Sequence, residues 1–390
     1  MEQVDENCSL YGRTGFVRNW NGVLLLVGIL RGTRSDLGKR MESGEEGVVE
    51  RIGRAFGRVS SKKDKADPKT HPQKPKVGRP PRDFTFEARS GFVSLGIGDD
   101  AALVRAGRGR EMVLTCDWFL EGTHFLRDKH PADSVGWKCL ARAVSDVAAM
   151  GGEPRCFLLS LALPKKLTGR WLEEFLGGLR RAAFRFGCEL AGGDTTERRE
   201  VLINVTVVGE VRAGRGLRRS GARVGDIIYV SGRLGEAELG LRLLCEGKRL
   251  NLRDARLRKH LYPEPRLELG RWLSGKRVAS AMMDLSDGLS SDLTRLCAAS
   301  GVGAVVDARK LPMLRRDVAD RVKLALHGGD DYELLFTVAK KKAGLVPRSI
   351  GGVALMAIGE ITRGREVMFL DEGGRKRLLQ AHGWDPFQRT

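Results

Sequence analysis

The chain has 390 residues, 42% of them hydrophobic and 30% charged, so it can form two domains with substantial cores and is not a small stapled scaffold. Its 68 Lys and Arg residues outnumber 49 Asp and Glu residues and give a net charge of +19, a balance that raises the question of nucleic-acid binding. The seven cysteines are widely spread with no C-x-x-C pair, which disfavours a zinc or disulfide framework and favours a reducing cytoplasm.

The first 40 residues show no secondary-structure pattern. We expect 1–40 to be an N-terminal extension that is either disordered or the result of a wrongly assigned start, with Met41 as the alternative start. The apolar run 23–30 is far shorter than the roughly 20 residues that span a bilayer. Acidic residues precede it, unlike in a signal peptide. The sequence therefore predicts a protein that does not enter a membrane and works in the cytoplasm.

A basic, proline-rich segment follows a stretch of helical periodicity at 44–58. Between Ser60 and Arg82 the chain carries eight basic and two acidic residues and five of its thirteen prolines. With almost no large apolar residue, this segment cannot bury enough surface to order itself. We expect 60–90 to be a disordered insertion. The remaining excess of arginine is scattered, which favours a solvated surface over a specific nucleic-acid site.

Beyond the insertion, short β-branched runs alternate with longer amphipathic runs. This alternation predicts a mixed α/β (α+β) fold with two domains, 41–215 and 216–390, that meet near residue 215. The predicted strands are 111–117, 201–211, 226–232 and 277–284, and the predicted helices are 134–150, 170–187 and 236–247, with another helix opening after the acidic turn at 284–288.

Six aspartate motifs stand beside glycine or other small residues, most of them at predicted strand ends. Any one of them alone is more typical of a turn or a helix cap. Six in one chain predict a cleft of carboxylates, which is stable only with bound cations and favours Mg²⁺ and a polyphosphate. The motifs are GIGDDAALV (96–104), TCDWFLEGTHF (115–125), SDVAAMGG (145–152), AGGDTT (191–196), DLSDGLSSDL (284–293) and HGGDDYELLF (327–336).

Common nucleotide-binding signatures do not occur in the sequence: it has neither a G-x-x-x-x-G-K-[ST] loop nor a kinase-type H-R-D loop. The loop 232–240 could present backbone N–H groups to a phosphate, and close strand-to-helix packing explains its glycines equally well. Taken in order, the six motifs and this loop resemble the thiamine-monophosphate kinase family of the aminoimidazole ribonucleotide synthetase superfamily. The resemblance covers 44–58 and 91–387, so the basic segment between them resembles an insertion.

The resemblance implies phosphorylation of thiamine monophosphate to thiamine diphosphate with ATP as co-substrate and several Mg²⁺ ions. It implies an N-terminal domain with a mainly β half-barrel flanked by helices that pairs in a homodimer, a C-terminal α/β sandwich, and no specific nucleic acid as partner. The implied catalytic residues are Asp146, Asp194, Arg219 and Asp284; the ATP contacts are Gly193, Asp194, Arg219 and Ser286; the metal ligands are Asp100, Thr115, Cys116, Asp117, Asp146, Asp194, Asp284 and Asp287; and the substrate contacts are His124, Asp330 and Trp384.

Three positions depart from the family pattern. Cys116 stands where Ser or Thr is common, and a thiol is a poor Mg²⁺ ligand, so only its backbone carbonyl suits that role. Asp330 replaces a longer Glu, and Leu176 replaces an aromatic residue expected near the adenine.

Several alternatives remain open at this point. Aminoimidazole ribonucleotide synthetase is the nearest, followed by a basic nucleic-acid-binding protein, although no aromatic residue interleaves the basic run 60–82. Selenophosphate synthesis needs a reactive cysteine in a glycine-rich segment, which Cys8 lacks. The hydrogenase-maturation dehydratase has a C-terminal cysteine, and this sequence has none there.

Overall fold

The computed structural model describes residues 51–52, 55, 93–95, 103–104, 107–246, 255–315 and 318–384. The predicted extension 1–40, the predicted insertion 60–90 and Asp100 therefore lie outside the described residues. Within the predicted helix 44–58, Arg51, Ile52 and Ala55 are helical, and Ile52 is buried in the N-terminal core.

The N-terminal part of the chain forms a four-stranded sheet in the order β3-β6-β4-β5 and a separate pair, β1-β2. β3 and β6 are antiparallel, and β4 and β5 are parallel. The elements are β1 (Val93–Leu95), β2 (Leu103–Val104), β3 (Arg110–Leu120), α1 (Ala132–Ala149), β4 (Glu153–Leu163), a 3₁₀ turn (Lys165–Leu167), α2 (Arg170–Phe186), β5 (Glu189–Glu197) and β6 (Leu202–Arg212).

One face of the four-stranded sheet is covered by α1 and α2, and no element among the described residues covers the side chains of β3 on the other face. Along β3, alternate residues Val113 and Phe119 are buried in the core, because successive side chains of a strand point to opposite faces. Leu114 and Trp118, on the opposite face, are 68% and 55% exposed. The sheet therefore presents an apolar surface to solvent.

The C-terminal part forms an eight-stranded sheet in the order β14-β13-β9-β12-β7-β10-β8, with β11 paired to β12. Its elements are β7 (Ile227–Ser231), α3 (Glu236–Cys245), α4 (Ala255–Leu261), α5 (Leu267–Lys276), β8 (Ala279–Leu285), α6 (Leu289–Ser300), β9 (Gly303–Asp307), a 3₁₀ turn (Ala308–Lys310), α7 (Arg321–His327), β10 (Glu333–Val338), a 3₁₀ helix (Lys340–Leu345), β11 (Ser349–Ile350), β12 (Val353–Thr362), β13 (Val367–Leu370) and β14 (Lys376–Leu378).

The C-terminal sheet is buried on both faces, which explains why its central strands read as continuous apolar runs. In β7, Ile228 and Val230 join a core that includes residues of α6, whereas Tyr229 joins a second core with residues of α5. The Tyr229 ring stacks on Phe336 of β10 at a centroid distance of 5.3 Å. Helices on both faces thus sandwich the sheet, and the predicted mixed α/β fold is confirmed.

The change from one sheet to the other occurs between Arg212 and Ile227, a connection that contains the boundary predicted near residue 215. The domain limits themselves stay a prediction. Most predicted elements lie within two or three residues of the observed ones, and the predicted helix 170–187 ends where Gly187 adopts a left-handed φ of 66°. Among the described helices, none has the length and apolar character needed to cross a membrane.

Candidate active site

A cavity of about 760 Å³ lies where the N-terminal helix α1 meets the loops of the C-terminal sheet. Arg142 and Asp146 of α1 line one side, and Asp284 and Asp287, at the end of β8 and in the turn that follows it, line another. The turn is short because β8 ends at Leu285 and α6 begins at Leu289. Chain segments about 140 residues apart therefore supply one wall of carboxylates.

Hydrogen bonds hold this carboxylate wall in place. Thr115 Oγ1 donates to Asp146 Oδ2, which fixes the aspartate against β3. Ser145 Oγ donates to Asp284 Oδ2 at 2.8 Å and thereby ties α1 to β8. The Ser-Asp dipeptide at 145–146 thus contributes one side chain that anchors the opposite aspartate and one that faces the cavity.

The carboxylates of the wall are crowded and partly dehydrated. Burial raises the pKa of Asp117 to about 6; Arg142 lowers it, and the carboxylates of Asp146 and Asp287 raise it further. Burial and the neighbouring Asp146 also raise the pKa of Asp284 well above its usual range. These charges are unfavourable together in the protein alone, and a cation among them would relieve the repulsion.

A second cluster lies beside the carboxylate wall, around Asp330, His130 and His260, which also line the cavity. Lys138 Nζ donates to Asp330 Oδ2 at 2.8 Å and lies 3.3 Å from His260 Nδ1, and His260 Nε2 lies 2.9 Å from His130 Nε2. Because an ammonium only donates, this network assigns His260 Nε2–H as the donor to His130. Burial lowers the pKa of both imidazoles, that of His130 to about 4, so they are neutral at pH 7.

Asp330 is engaged by protein groups and also lines the cavity. Besides Lys138, it accepts a hydrogen bond from Tyr332 Oη at 2.7 Å. Burial by itself raises the pKa of Asp330, and the Lys138 and Arg142 cations outweigh it and hold that pKa far below its usual range. Asp330 and Tyr332 both have positive φ, 65° and 49°, a conformation that side-chain-bearing residues adopt at a cost.

Trp384 reaches the cavity through a docked C-terminal segment. Its backbone N–H donates to the Asp287 carbonyl at 3.0 Å, and the Gly383 N–H donates to Ser291 Oγ at 3.0 Å. A Cβ on Gly383 would stand 1.9 Å from the Asp287 oxygen, so only glycine fits this close approach. Trp384 lines the cavity and is 46% exposed.

The structure brings together most of the residues predicted for the site. Those that line the cavity are Asp117, His124, Asp146, Arg219, Asp284, Ser286, Asp287, Asp330 and Trp384.

Four predicted residues are placed elsewhere. Thr115 acts behind the wall through Asp146. The Cys116 side chain points to the open face of the sheet, opposite to Asp117, and pairs with Asn204 at 3.3 Å. Gly193 and Asp194 are exposed on β5 outside the cavity lining, and a Cβ on Gly193 would stand 1.9 Å from the Leu159 oxygen. The Cys116 thiol and the Asp117 carboxylate therefore cannot bind the same metal ion.

Sequence reasoning missed the cationic side of the cavity. Lys138, Arg142 and Asp146 follow one another at intervals of four residues and so share one face of α1. Polar residues at this spacing in an otherwise apolar helix are a signal that the sequence contains. Leu176, which stands where family members carry an aromatic residue near the adenine, is 2% exposed in the N-terminal core.

Oxygen donors dominate the site, and this donor set suits a hard cation such as Mg²⁺. In the described part of the chain, no three His, Cys, Asp or Glu side chains are gathered closely enough to enclose a metal ion by themselves.

Comparison with known proteins adds an independent finding. Residues 98–211 match the family model of the AIR synthase related protein N-terminal domain, and residues 223–371 match that of the C-terminal domain. The thiamine-monophosphate kinase of Salmonella typhimurium is 39% identical over 305 residues, which cover 76% of this chain and 92% of the relative.

Solved structures show the same likeness. The crystal structure of thiamine-monophosphate kinase from Stenotrophomonas maltophilia is 37% identical with a TM-score of 0.64, covering 72% of this chain and 92% of that one. The structure of AaThiL complexed with AMPPCP and TMP is 35% identical with a TM-score of 0.64, covering 75% and 92%.

Proposed function

Since the chain belongs to the thiamine-monophosphate kinase family of AIR synthase related proteins, we propose that it transfers the γ-phosphoryl group of ATP to thiamine monophosphate and releases thiamine diphosphate and ADP. The observation that carries the proposal is the wall of carboxylates at one cavity, with Asp117 and Asp146 from the N-terminal part and Asp284 and Asp287 from the C-terminal part. The family relation identifies the substrates, and the carboxylates of the wall can hold the Mg²⁺ ions that bind phosphate groups.

Mg²⁺ fits the carboxylate wall. Burial first, and then repulsion from neighbouring carboxylates, raise the pKa values of Asp117 and Asp284, and a divalent cation offsets both effects. In sites of phosphoryl transfer, Mg²⁺ is held by one or two carboxylates together with phosphate oxygens and water. We assign Asp117, Asp146, Asp284 and Asp287 to this role, with Thr115 orienting Asp146. When bound, Mg²⁺ neutralises the charge on the phosphate oxygens.

The acceptor does not need a catalytic base. A phosphate monoester has a second pKa of about 6 and is mostly dianionic at pH 7, so its oxygen can attack the γ-phosphorus directly. His124 is then needed only as a contact for the substrate. Burial and Arg142 lower its pKa to about 4, so its imidazole is a neutral polar group in the cavity wall. The work left to the protein is to bring two anions together and hold them in line.

We assign the remaining residues by their place on the cavity. Arg219 and Ser286 lie on the lining and are available to ATP phosphates, and His124 and Trp384 are available to thiamine monophosphate. Asp330 acts through the shape of its loop, because its carboxylate is already held by Lys138. The ATP roles of Gly193 and Asp194 and the metal role of Asp100 stay predictions, as does a metal role for the Cys116 carbonyl.

We also propose that two chains pair through the open face of the N-terminal sheet. Four large apolar residues of β3 and β4 are exposed on that face: Leu114 (68%), Trp118 (55%), Leu158 (39%) and Met112 (38%). Contiguous apolar surface of this kind marks an association site. With substrates that are small and intracellular, and with cysteines that are unpaired among the described residues, we place the enzyme in the cytoplasm.

The experiment that tests the function is a product assay with purified protein, ATP and thiamine monophosphate. We expect one equivalent each of thiamine diphosphate and ADP in the presence of Mg²⁺, and none when EDTA exceeds the metal. Thiamine diphosphate formed at an undiminished rate in excess EDTA would contradict the metal assignment. ATP consumption without thiamine diphosphate would contradict the substrate assignment.

A further inference from the structure

Arg142 is a mostly buried cation with a hydrogen-bond donor, Nε–H, that no group in the described part of the chain uses. Its side chain is 16% exposed, its guanidinium carbon lies 5.4 Å from the centre of the Phe119 ring, and it lines the cavity. Its Nε is buried and has no hydrogen-bond partner among the described residues. The ion pair nearest to it joins Nη1 to Asp330 Oδ1 across 3.7 Å, which is too long for a hydrogen bond.

The carboxylate beside Arg142 is already neutralised by another cation. Lys138 Nζ lies 2.8 Å from Asp330 Oδ2, and Tyr332 Oη lies 2.7 Å from Asp330 Oδ1. The imidazoles of His124 and His130 are neutral at pH 7. Asp330 is thus engaged by Lys138 and Tyr332, whereas Arg142, which also lies near Asp117 and Asp287, keeps a buried Nε–H that an anion in the cavity can use.

We propose that Arg142 binds the phosphate group of the monophosphate substrate and so selects a phosphorylated acceptor. The inference rests on the proposed function and adds a specificity residue to it. A guanidinium offers several N–H donors in one plane, which match the oxygens of a phosphate. In a cavity shielded from water such a contact is stronger than at the surface.

The position of Arg142 distinguishes it from the arginine available to ATP. Arg219 is the cation that lowers the pKa of Asp146 most, with Arg142 second. In the described part of the chain, Arg142 is the cation that lowers the pKa of Asp117 most. Arg219 therefore stands beside Asp146, and Arg142 stands beside both Asp146 and Asp117, so two arginines at one wall are available to two phosphate groups.

The test compares the affinity for thiamine monophosphate with that for thiamine, which lacks the phosphate, by calorimetry in the presence of Mg²⁺. We expect Arg142→Gln to weaken thiamine monophosphate binding by about thirtyfold, the loss of a charge-assisted contact, and to leave thiamine binding within about twofold. Arg142→Lys keeps the charge and lacks the planar guanidinium. We expect its affinity for thiamine monophosphate to lie between those of the wild type and Arg142→Gln. Arg170→Gln, on the exposed start of α2, is the matched control.

Three results would overturn the inference: equal weakening of both ligands, which indicates a structural role; an increase of KM for ATP alone; or unchanged binding in a variant that melts like the wild type. Should Arg142→Gln fold poorly, the Arg142→Lys comparison decides by the same ratio. Turnover of the wild type separates the two claims. If it phosphorylates thiamine monophosphate and Arg142→Gln binds normally, only the inference fails; if it shows no such turnover, the proposed function fails and the inference with it.

Discussion

Lys138 Nζ lies 2.8 Å from Asp330 Oδ2, so a helix of the N-terminal part is joined to the loop that precedes β10. The lysine side chain is 1% exposed, and Lys138 also contacts His260 of α4. Burial lowers the pKa of Lys138, and the Asp330 carboxylate opposes that effect. This pair holds the floor of the cavity together.

Replacing this lysine tests whether the pair is needed. Lys138→Met leaves the Asp330 carboxylate without its nearest cation, and breaking a buried pair costs about 3–5 kcal/mol. We expect the free energy of unfolding in urea to fall by that amount. The double variant Lys138→Met with Asp330→Asn should recover part of it, because no uncompensated charge remains. Lys276→Met, at the exposed end of α5, is the control, and an equal loss in single and double variants would contradict the pairing.

A second prediction separates catalysis from folding at the carboxylate wall. Asp146→Asn or Asp284→Asn removes one charge and keeps the side-chain shape, so kcat should fall by about a hundredfold or more. Stability should stay or rise, since burial raises the pKa of both aspartates, and nearby carboxylates raise that of Asp284 further, so their charges are unfavourable. Steady-state kinetics and thermal unfolding measure the two effects. Asp371→Asn on the surface is the control, and a lower melting temperature with normal kcat would show that these aspartates are structural.

The buried histidine pair predicts a pH dependence of stability. The pKa of His130 falls from 6.5 to about 4 on folding, so the unfolded chain binds more protons between these values. Stability from this group is therefore complete above pH 6.5 and is lost as the pH falls toward 4; from pH 7 to pH 5 the loss is about 2 kcal/mol.

Aspartates with raised pKa values, such as Asp117, act in the opposite direction, so the effect is measured as a difference between variants. Around His130 the charged and titratable groups are Lys138, His260, Asp330 and Asp128. Urea unfolding at pH 7 and pH 5 should show a smaller loss for His130→Gln than for the wild type. Gln in place of the exposed His382 is the matched comparison. Identical losses in His130→Gln and wild type would refute the assignment.

The apolar face of the N-terminal sheet predicts a dimer. The double variant Leu114→Lys with Trp118→Lys places two charges on that face and should halve the mass measured by light scattering at micromolar concentration, because charges disfavour burial. Phe184→Lys, on α2 and 85% exposed, should leave the mass unchanged. A wild-type mass of one chain would remove the dimer proposal.

The sequence predicted the bounds of helices and strands to within about three residues where the hydrophobic periodicity was regular. The predicted helix 134–150 is Ala132–Ala149 in the structure, and the predicted strand 201–211 is Leu202–Arg212. The strand 111–117 is longer than predicted, Arg110–Leu120, because its pairing with β6 continues through Trp118 and Phe119.

The site was only partly predictable, because its composition depends on which faces meet. The motifs singled out Asp146 and Asp284, but a motif cannot show that Cys116 and Asp117 point to opposite faces of one strand until the strand is paired. Lys138 and Arg142 carry no motif of their own, and only the approach of the Asp330 loop to α1 gives them a role. The ionic partners of Asp330 are distant in sequence, so the sequence alone did not show them, and its substrate contact stays a prediction.

The central claim is that the phosphate of thiamine monophosphate attacks ATP directly at this cavity. The most direct test uses thiamine monophosphate with ¹⁸O in its terminal phosphate oxygens and unlabelled ATP, followed by ³¹P NMR of the thiamine diphosphate. Direct attack retains the label and places ¹⁸O in the bridge between the two phosphorus atoms. Thiamine diphosphate without ¹⁸O in the bridge, with both phosphates derived from ATP, would contradict the account.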